Sequence, residues 1–156
     1  MLPKINNIKS KSDIQHSKYI YTLNFDGCSK GNPGLSGAGA VIYYLGNEIW
    51  SDFIFVGEKN TNNYAEYSGL ILGLEQAISL KIRNIQVIGD SLLVINHMNG
   101  IYQCKSSNLM ELYEHVKELE KNFDKIEYVH VLRNQNKRAD SLSNKAIDKY
   151  IEISCK

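Results

Sequence analysis

Apolar and polar positions alternate from Tyr19 to Asp26, and this pattern predicts a strand. Tyr19, Tyr21, Leu23 and Phe25 share one face, and Thr22, Asn24 and Asp26 share the other. The strand ends at Asp26 and breaks into a loop carrying Gly27, Gly31, Pro33, Gly34, Gly37 and Gly39, residues suited to tight turns. Ala38 to Leu45 reads as a second strand, Gly46-Asn47 as a two-residue hairpin turn, and Glu48 to Val56 as a third strand.

The period then changes. Thr61 or an adjacent Asn opens a helix whose buried stripe is Tyr67, Leu70, Ile71, Leu74, Ala77 and Ile78. Ile85 to Gly89 is a short strand that follows a helix, so it returns parallel to an earlier strand by a right-handed crossover. Ser91 to Asn99 is a brief helix stopped by Gly100. A further helix from Ser106 to Phe123 places Leu109, Leu112, Tyr113, Val116 and Leu119 on one face. Ile126 to Leu132 is the last strand, and a helix from Asn136 to Tyr150 packs Ala139, Leu142, Ala146 and Ile147. The order predicts an α/β fold: a five-stranded mixed sheet, its first three strands antiparallel, flanked by helices. Ligands bind such sheets outside the carboxyl ends of the strands, where the winding changes direction.

Length and composition set limits on this picture. The chain has 156 residues, enough for one domain that needs no staples. Residues 19–150 are expected to form that domain, with a basic tail over 1–18 and a short tail over 151–156. Four lysines against Asp13 give residues 1–18 a charge of +3, which leaves −2 on the rest of a chain whose net charge is +1. The body is therefore not a basic protein, and binding to a polyanion has to be local or bridged by metal ions. Three cysteines, Cys28, Cys104 and Cys155, have no CxxC spacing, which argues against a disulfide framework or a zinc site and fits a reducing compartment. With no secretory leader and no apolar run near the roughly 20 residues of a membrane span, a cytoplasmic or nuclear setting is expected.

Four acids carry the candidate chemistry. Each has an ordinary explanation: Asp26 as a turn residue, Asp90 as a helix cap, and Glu66 and Asp140 as first-turn acids complementing a helix dipole. The predicted topology nonetheless brings two strand ends and two helix starts to one end of the sheet. Like charges about 4 Å apart repel by about 4 kcal/mol at an effective dielectric of 20, so a cluster of them calls for cations or protonation. All-carboxylate ligation suits hard divalent ions such as Mg²⁺ or Mn²⁺, two of which can activate a water and stabilise a leaving oxygen in phosphoryl transfer.

The segments FDGCSKGNPGLSGAGAV, TNNYAEYSGLILGL, IGDSLLVINHMNGIYQCKSSNL and HVLRNQNKRADSLSNKA each contain one of these acids. Together, from Tyr19 to Tyr150, the sequence resembles the ribonuclease H family, type 1. The resemblance implies that Asp26, Glu66, Asp90 and Asp140 coordinate two Mg²⁺ ions, with Mn²⁺ as a substitute. It also implies that the RNA strand of an RNA/DNA hybrid is cut internally to leave 5′-phosphate and 3′-hydroxyl ends. Gly27, Cys28 and Ser29 match residues that meet RNA 2′-hydroxyls, Asn32 and Asn62 match residues that contact the hybrid, and Thr61 matches one that holds a DNA-strand phosphate. Backbone contacts and 2′-hydroxyl readout carry little sequence information, so cleavage is expected to tolerate sequence.

Three features depart from many relatives. The loop before the last acid is short, without histidine, and resembles archaeal and plant-like members; there Arg133 and Asn136 precede Asp140, and Arg133 is a candidate phosphate contact. The region after Gly100 lacks an extra basic helix, which implies weak and salt-dependent binding. Leu92 stands where some relatives carry glutamine.

Other residues read as structural. His130 is expected half-buried on the last strand, and His16, His97 and His115 on surfaces or helix faces. Cys28 reads as a loop thiol without a histidine partner, hence not a nucleophile. Tyr43, Tyr44, Trp50, Phe53 and Phe55 read as sheet-face residues, and Lys117, Lys121 and Lys125 as solvated charges. Lys137 and Arg138, flanking Asp140, are candidate phosphate contacts. Two rival readings remain open from the residues: a nuclease of the same fold with another nucleic-acid substrate, and a non-catalytic binding module. A monomer is the working state, with protein partners unspecified.

Overall fold

The computed structural model describes residues 19–155. The basic tail expected over 1–18, and His16 within it, lies outside them. A five-stranded sheet runs in the order β3-β2-β1-β4-β5. β1 (Tyr21–Lys30), β2 (Gly34–Tyr44) and β3 (Asn47–Asn60) form the antiparallel meander. β4 (Asn84–Gly89) pairs parallel with β1, and β5 (Lys125–His130) parallel with β4. The helices are α1 (Asn62–Ser79), α2 (Leu92–Met98), α3 (Ser107–Glu120) and α4 (Lys137–Ser154).

The first strand is longer than its pattern predicts. β1 continues through Gly27 and Cys28 to Lys30, because each residue from Asp26 to Lys30 pairs with β2, which itself starts at Gly34. The tight turn is confined to residues 31–33, where Gly31 takes a φ of 85°. The glycines inside the strands serve a different purpose: a Cβ at Gly27 would stand inside the backbone of Ala65 and Glu66. The next hairpin turn falls on Leu45 and Gly46, at φ 49° and 82°, and not on Gly46-Asn47. Asn47 is already paired with Tyr44, and two left-handed central residues make the type I′ turn, whose twist matches that of the strands.

The main core lies on one face of the sheet. Leu23, Phe25, Ile85 and Val87 meet Tyr67, Leu70, Leu74 and Ala77 of α1, with Val94, Leu109 and Val116 closing it. Ile71 and Ile78 pack at its edge. On the other face Val41 packs with Ala139 and Leu142 of α4, flanked by Tyr43 and Phe53. Trp50 packs on the main core, Tyr44 tilts against Tyr21, and Phe55 stacks on Tyr150 at 3.7 Å between ring centres. Helix α4 runs to Ser154, so residues 151–154 continue the helix and do not begin a tail. All three cysteines are free. Among the described residues, no helix is long and apolar enough to cross a membrane.

Candidate active site

The parallel β1/β4 pair explains why two acids meet. Phe25 is in register with Gly89, the last rung of that ladder, so Asp26 and Asp90 leave it side by side. Beyond that rung β4 no longer covers this edge of β1, and residues 26–30 border a cleft. Helix α1 brings the third acid. Thr61 caps it by accepting from the Tyr64 amide at 3.2 Å, and Gly27 and Gly69 let its first turns rest on the β1 backbone. Glu66 thereby comes to lie against Asp26. Ser91 caps α2 by accepting from the Val94 amide at 3.2 Å, so Asp90 is not the cap and its carboxylate is left for the cleft.

Carboxylate oxygens of Asp26, Glu66 and Asp90 lie within 4.8 Å of one another. Asp140, in the first turn of α4, lines the same cavity of about 420 Å³ together with Gly27, Cys28, Ser29, Asn62 and Arg133. Its Oδ1 is 3.3 Å from the Arg133 guanidinium and 3.5 Å from the Asn144 amide.

Burial pushes the Asp26 carboxyl up to about 8, helped by the charges of Asp90 and Asp140 and opposed by a hydrogen bond with Glu66. Burial, then the neighbouring Asp26, holds Glu66 well above the usual carboxylate range. Without cations Asp26 therefore keeps its proton at neutral pH, beside a Glu66 whose charged form is likewise disfavoured. Glu66 Oε2 is buried with no hydrogen-bond partner among the described residues. An orphaned buried carboxylate oxygen among other carboxylates costs stability unless something positive meets it, so the donor set fits hard divalent cations.

The other predicted residues separate into groups. Ser29, Asn62 and Asn32 form a chain that fastens the β1–β2 turn to α1: the Ser29 amide donates to Asn62 Oδ1 at 2.8 Å, and the Asn62 amide to Asn32 Oδ1 at 3.0 Å. Cys28 sits on the strand, not in a loop. It is half-buried, its Sγ 3.8 Å from Asn144 Oδ1, and burial pushes its thiol pKa up, against a nucleophilic role. Thr61 and Asn32 line a separate cavity on the α2 and α3 side.

Several expectations are corrected. Asn136 is 1% exposed and so does not face a substrate. Its Nδ2 donates to Phe25 O at 2.8 Å and stands 3.5 Å from Asp90 Oδ1, while its Oδ1 accepts from Asn24 at 3.2 Å. Its backbone carbonyl accepts from the Asp140 amide at 3.1 Å, so one side chain and its carbonyl tie three acid-bearing segments together. Arg138 is held by Glu48 at 2.9 Å and by Ser51, which turns it away from a phosphate role. His130 is exposed, with Nε2 3.2 Å from Asp90 O. Of the two settings expected for His97, a surface or a helix face, the structure shows the second, and that face is buried.

Asn24, Ser143 and Asn144 escaped the sequence reading. Ser143 Oγ donates to Asp26 Oδ2 at 3.3 Å, and Asn144 Nδ2 to Asp140 O at 2.9 Å. Their i+3 and i+4 spacing from Asp140 was the available signal. Asn136→Ala is expected to cost about 2–3 kcal/mol, because it leaves the buried Phe25 carbonyl unpaired. Thermal denaturation checks this, with a fall in Tm of several degrees expected.

Comparison with known proteins bears on this arrangement. The family model described as reverse transcriptase-like matches residues 24–146. The structure of LC11-RNase H1 in complex with an RNA/DNA hybrid superposes with a TM-score of 0.80 at 34% identity, covering 84% of this chain and 99% of that one. The chain belongs to the ribonuclease H family, type 1. A ribonuclease HI of Halobacterium salinarum is 36% identical over 124 residues, covering 80% of this chain and 62% of that protein. The bifunctional protein Rv2228c of Mycobacterium tuberculosis is 39% identical over 127 residues, which are 81% of this chain but 35% of that protein. The chain thus spans between about a third and two thirds of the length of these two curated relatives. As a ribonuclease H-like domain, it shows the family's mixed sheet with its acids at one end.

Proposed function

We propose that the chain is an endoribonuclease that hydrolyses the RNA strand of RNA/DNA hybrids, leaving 5′-phosphate and 3′-hydroxyl ends. The observation that carries this is the cluster of Asp26, Glu66 and Asp90 around the orphaned Glu66 Oε2, in a cavity bordered by Asp140 and by the open edge of β1. Asp26, Glu66, Asp90 and Asp140 would hold two Mg²⁺ ions, or Mn²⁺, which supply activation of a water and stabilisation of the leaving oxygen.

The chain's own residues do the rest. Gly27, Cys28 and Ser29 present a strand edge to the RNA, where a 2′-hydroxyl can be read by backbone groups without regard to base. The Ser29 amide is already taken by Asn62, so Asn62 and Asn32 act by holding this edge in place as much as by touching the hybrid. Arg133, with its side chain 76% exposed, neutralises Asp140 in the free protein and is free to move onto a phosphate when cations relieve that acid. Thr61 holds a phosphate of the DNA strand in the second cavity. Asn136 does not bind the hybrid; it sets the spacing of the segments that carry Asp26, Asp90 and Asp140.

Contacts to phosphates dominate the affinity of such an interface, and this chain offers few cations for them, so binding is weak and falls with salt in proportion to the few phosphates neutralised. The test is to offer one sequence as RNA/DNA hybrid, RNA duplex, DNA duplex and single strands. Cleavage confined to the hybrid supports the reading. Cutting of another substrate points to a different nuclease of this fold, and binding without cutting points to a non-catalytic module.

A further inference from the structure

The mechanism above leaves one buried titratable pair unused. His97 of α2 is 5% exposed, and its Nδ1 lies 2.7 Å from the Tyr67 hydroxyl of α1. Tyr67 has no other hydrogen-bond partner among the described residues, so its hydroxyl proton is directed at Nδ1. Burial pushes the Tyr67 hydroxyl pKa up and the His97 imidazole pKa down, and at neutral pH the phenol keeps its proton while the ring carries one. With Nδ1 accepting, that single ring proton sits on Nε2.

His97 also lines the second cavity, of about 450 Å³, beside Thr61, Lys105 and Ser106. This cavity has the character of an anion site. Among the described residues, Lys105 is the only charged one that lines it, and none of the lining residues is a carboxylate. Ser106 caps the 14-residue α3 without a side-chain hydrogen bond, which leaves that helix's first amides available. Thr61 Oγ1 accepts from Tyr64 and keeps its own proton to donate.

We propose that His97, oriented by Tyr67, presents an Nε2–H donor to a phosphate of the DNA strand seated in this cavity. The inference rests on the ribonuclease H reading and adds to it a contact residue, His97, and a positioning residue, Tyr67, that acts through it. Because the ring is neutral, its contribution is a directed hydrogen bond and not a charge. It fixes where the phosphate sits while Lys105 supplies the attraction.

The test uses cleavage kinetics together with hybrid binding in chelator, followed by fluorescence anisotropy. His97→Phe keeps the ring's bulk and removes the donor; KM and the dissociation constant should rise roughly tenfold, with kcat within about twofold. His97→Gln, whose amide nitrogen falls close to the Nε2 position, should stay within about threefold of the parent. Tyr67→Phe, which frees the ring tautomer, should fall between them. A scan of the DNA strand with single neutral methylphosphonates should reveal one position that costs the parent chain fivefold or more and costs His97→Phe nothing further.

An unchanged KM in folded His97→Phe, or a loss in kcat alone, overturns the proposal. A flat scan on the parent chain does so as well, without recourse to any variant. A parent chain that cuts the hybrid yet gives a flat scan removes the His97 contact alone, whereas a parent chain that neither binds nor cuts the hybrid removes the ribonuclease reading first.

Discussion

Asp26→Asn is expected to lower hybrid cleavage by roughly 10³-fold or more, equivalent to about 4 kcal/mol of transition-state stabilisation. Asp26 stands at the centre of the cluster, bonded to Glu66 and within reach of Asp90 and Ser143, so its loss removes a ligand shared across the site. The same variant is expected to stabilise the cation-free protein at alkaline pH, and the sign follows from its titration. The folded Asp26 carboxyl titrates near 8 against an ordinary value of 3.8. Between those values the native state holds a proton that the unfolded chain has released. Stability is therefore complete below about pH 4 and declines as pH rises through about 8, at up to about 1.4 kcal/mol per pH unit for the one group. Glu66, raised for the same reason, adds to the decline. In chelator, Tm should drop between pH 6 and pH 9 for the parent chain, drop less for Asp26→Asn, and recover in the parent on adding Mg²⁺. A parent chain whose cation-free Tm is flat across that range would contradict the raised titration of the Asp26 carboxyl.

Gly27→Ala is expected to be strongly damaging to both fold and site. The added Cβ would fall within the backbone of Ala65 and Glu66, where no side-chain rotation relieves it, so the start of α1 has to lift off β1. We expect a cost of about 3 kcal/mol or more and a fall in Tm of about 10 °C. Cleavage by the molecules still folded should be nearly lost, because Glu66 moves with the helix away from Asp26. Gly46→Ala is the contrast: its Cβ meets nothing within 4 Å, so only its left-handed backbone is penalised, at about 1 kcal/mol. Thermal melts and single-turnover cleavage of both variants separate the two effects. Comparable stability and activity in the two would refute the claim that backbone contact at Gly27 places Glu66.

The four acids were legible in the sequence because each ends or begins an element whose period is plain. Asp26 and Asp90 follow apolar strands, Glu66 lies one turn into a capped helix, and Asp140 opens the last one. The crossover rule predicted that the strand ending before Asp90 runs parallel to one of the earlier strands, and the ladder shows that strand to be β1, which joins Asp26 to Asp90. What the sequence concealed has a common physical origin: local chemistry was read where tertiary packing decides. Gly27, Gly37 and Gly39 read as turn residues, yet they lie in paired strands and clear space for α1 and α4. Leu45 occupies a left-handed position that its side chain does not favour, because the Tyr44–Asn47 pair closes the hairpin there.

Asn136 read as a contact to the hybrid and His97 as a surface or helix-face residue, but Asn136 turns inward to the Phe25 carbonyl and His97 turns inward to Tyr67. Only the sheet and the helix opposite create those partners. Arg138 shows the converse. Its position beside Asp140 suggested phosphate binding, and β3, supplying Glu48 and Ser51, claims it instead.

The most direct measurement is cleavage of one RNA/DNA hybrid labelled on either strand, with Mg²⁺ and with chelator, and with the product ends identified. Cutting of the RNA strand alone, at several internal positions, dependent on Mg²⁺ and yielding 5′-phosphate and 3′-hydroxyl ends, is the expected result. Cutting that persists in chelator, or that falls on the DNA strand, would contradict the assignment of Asp26, Glu66, Asp90 and Asp140 as the cation-holding centre of a ribonuclease H.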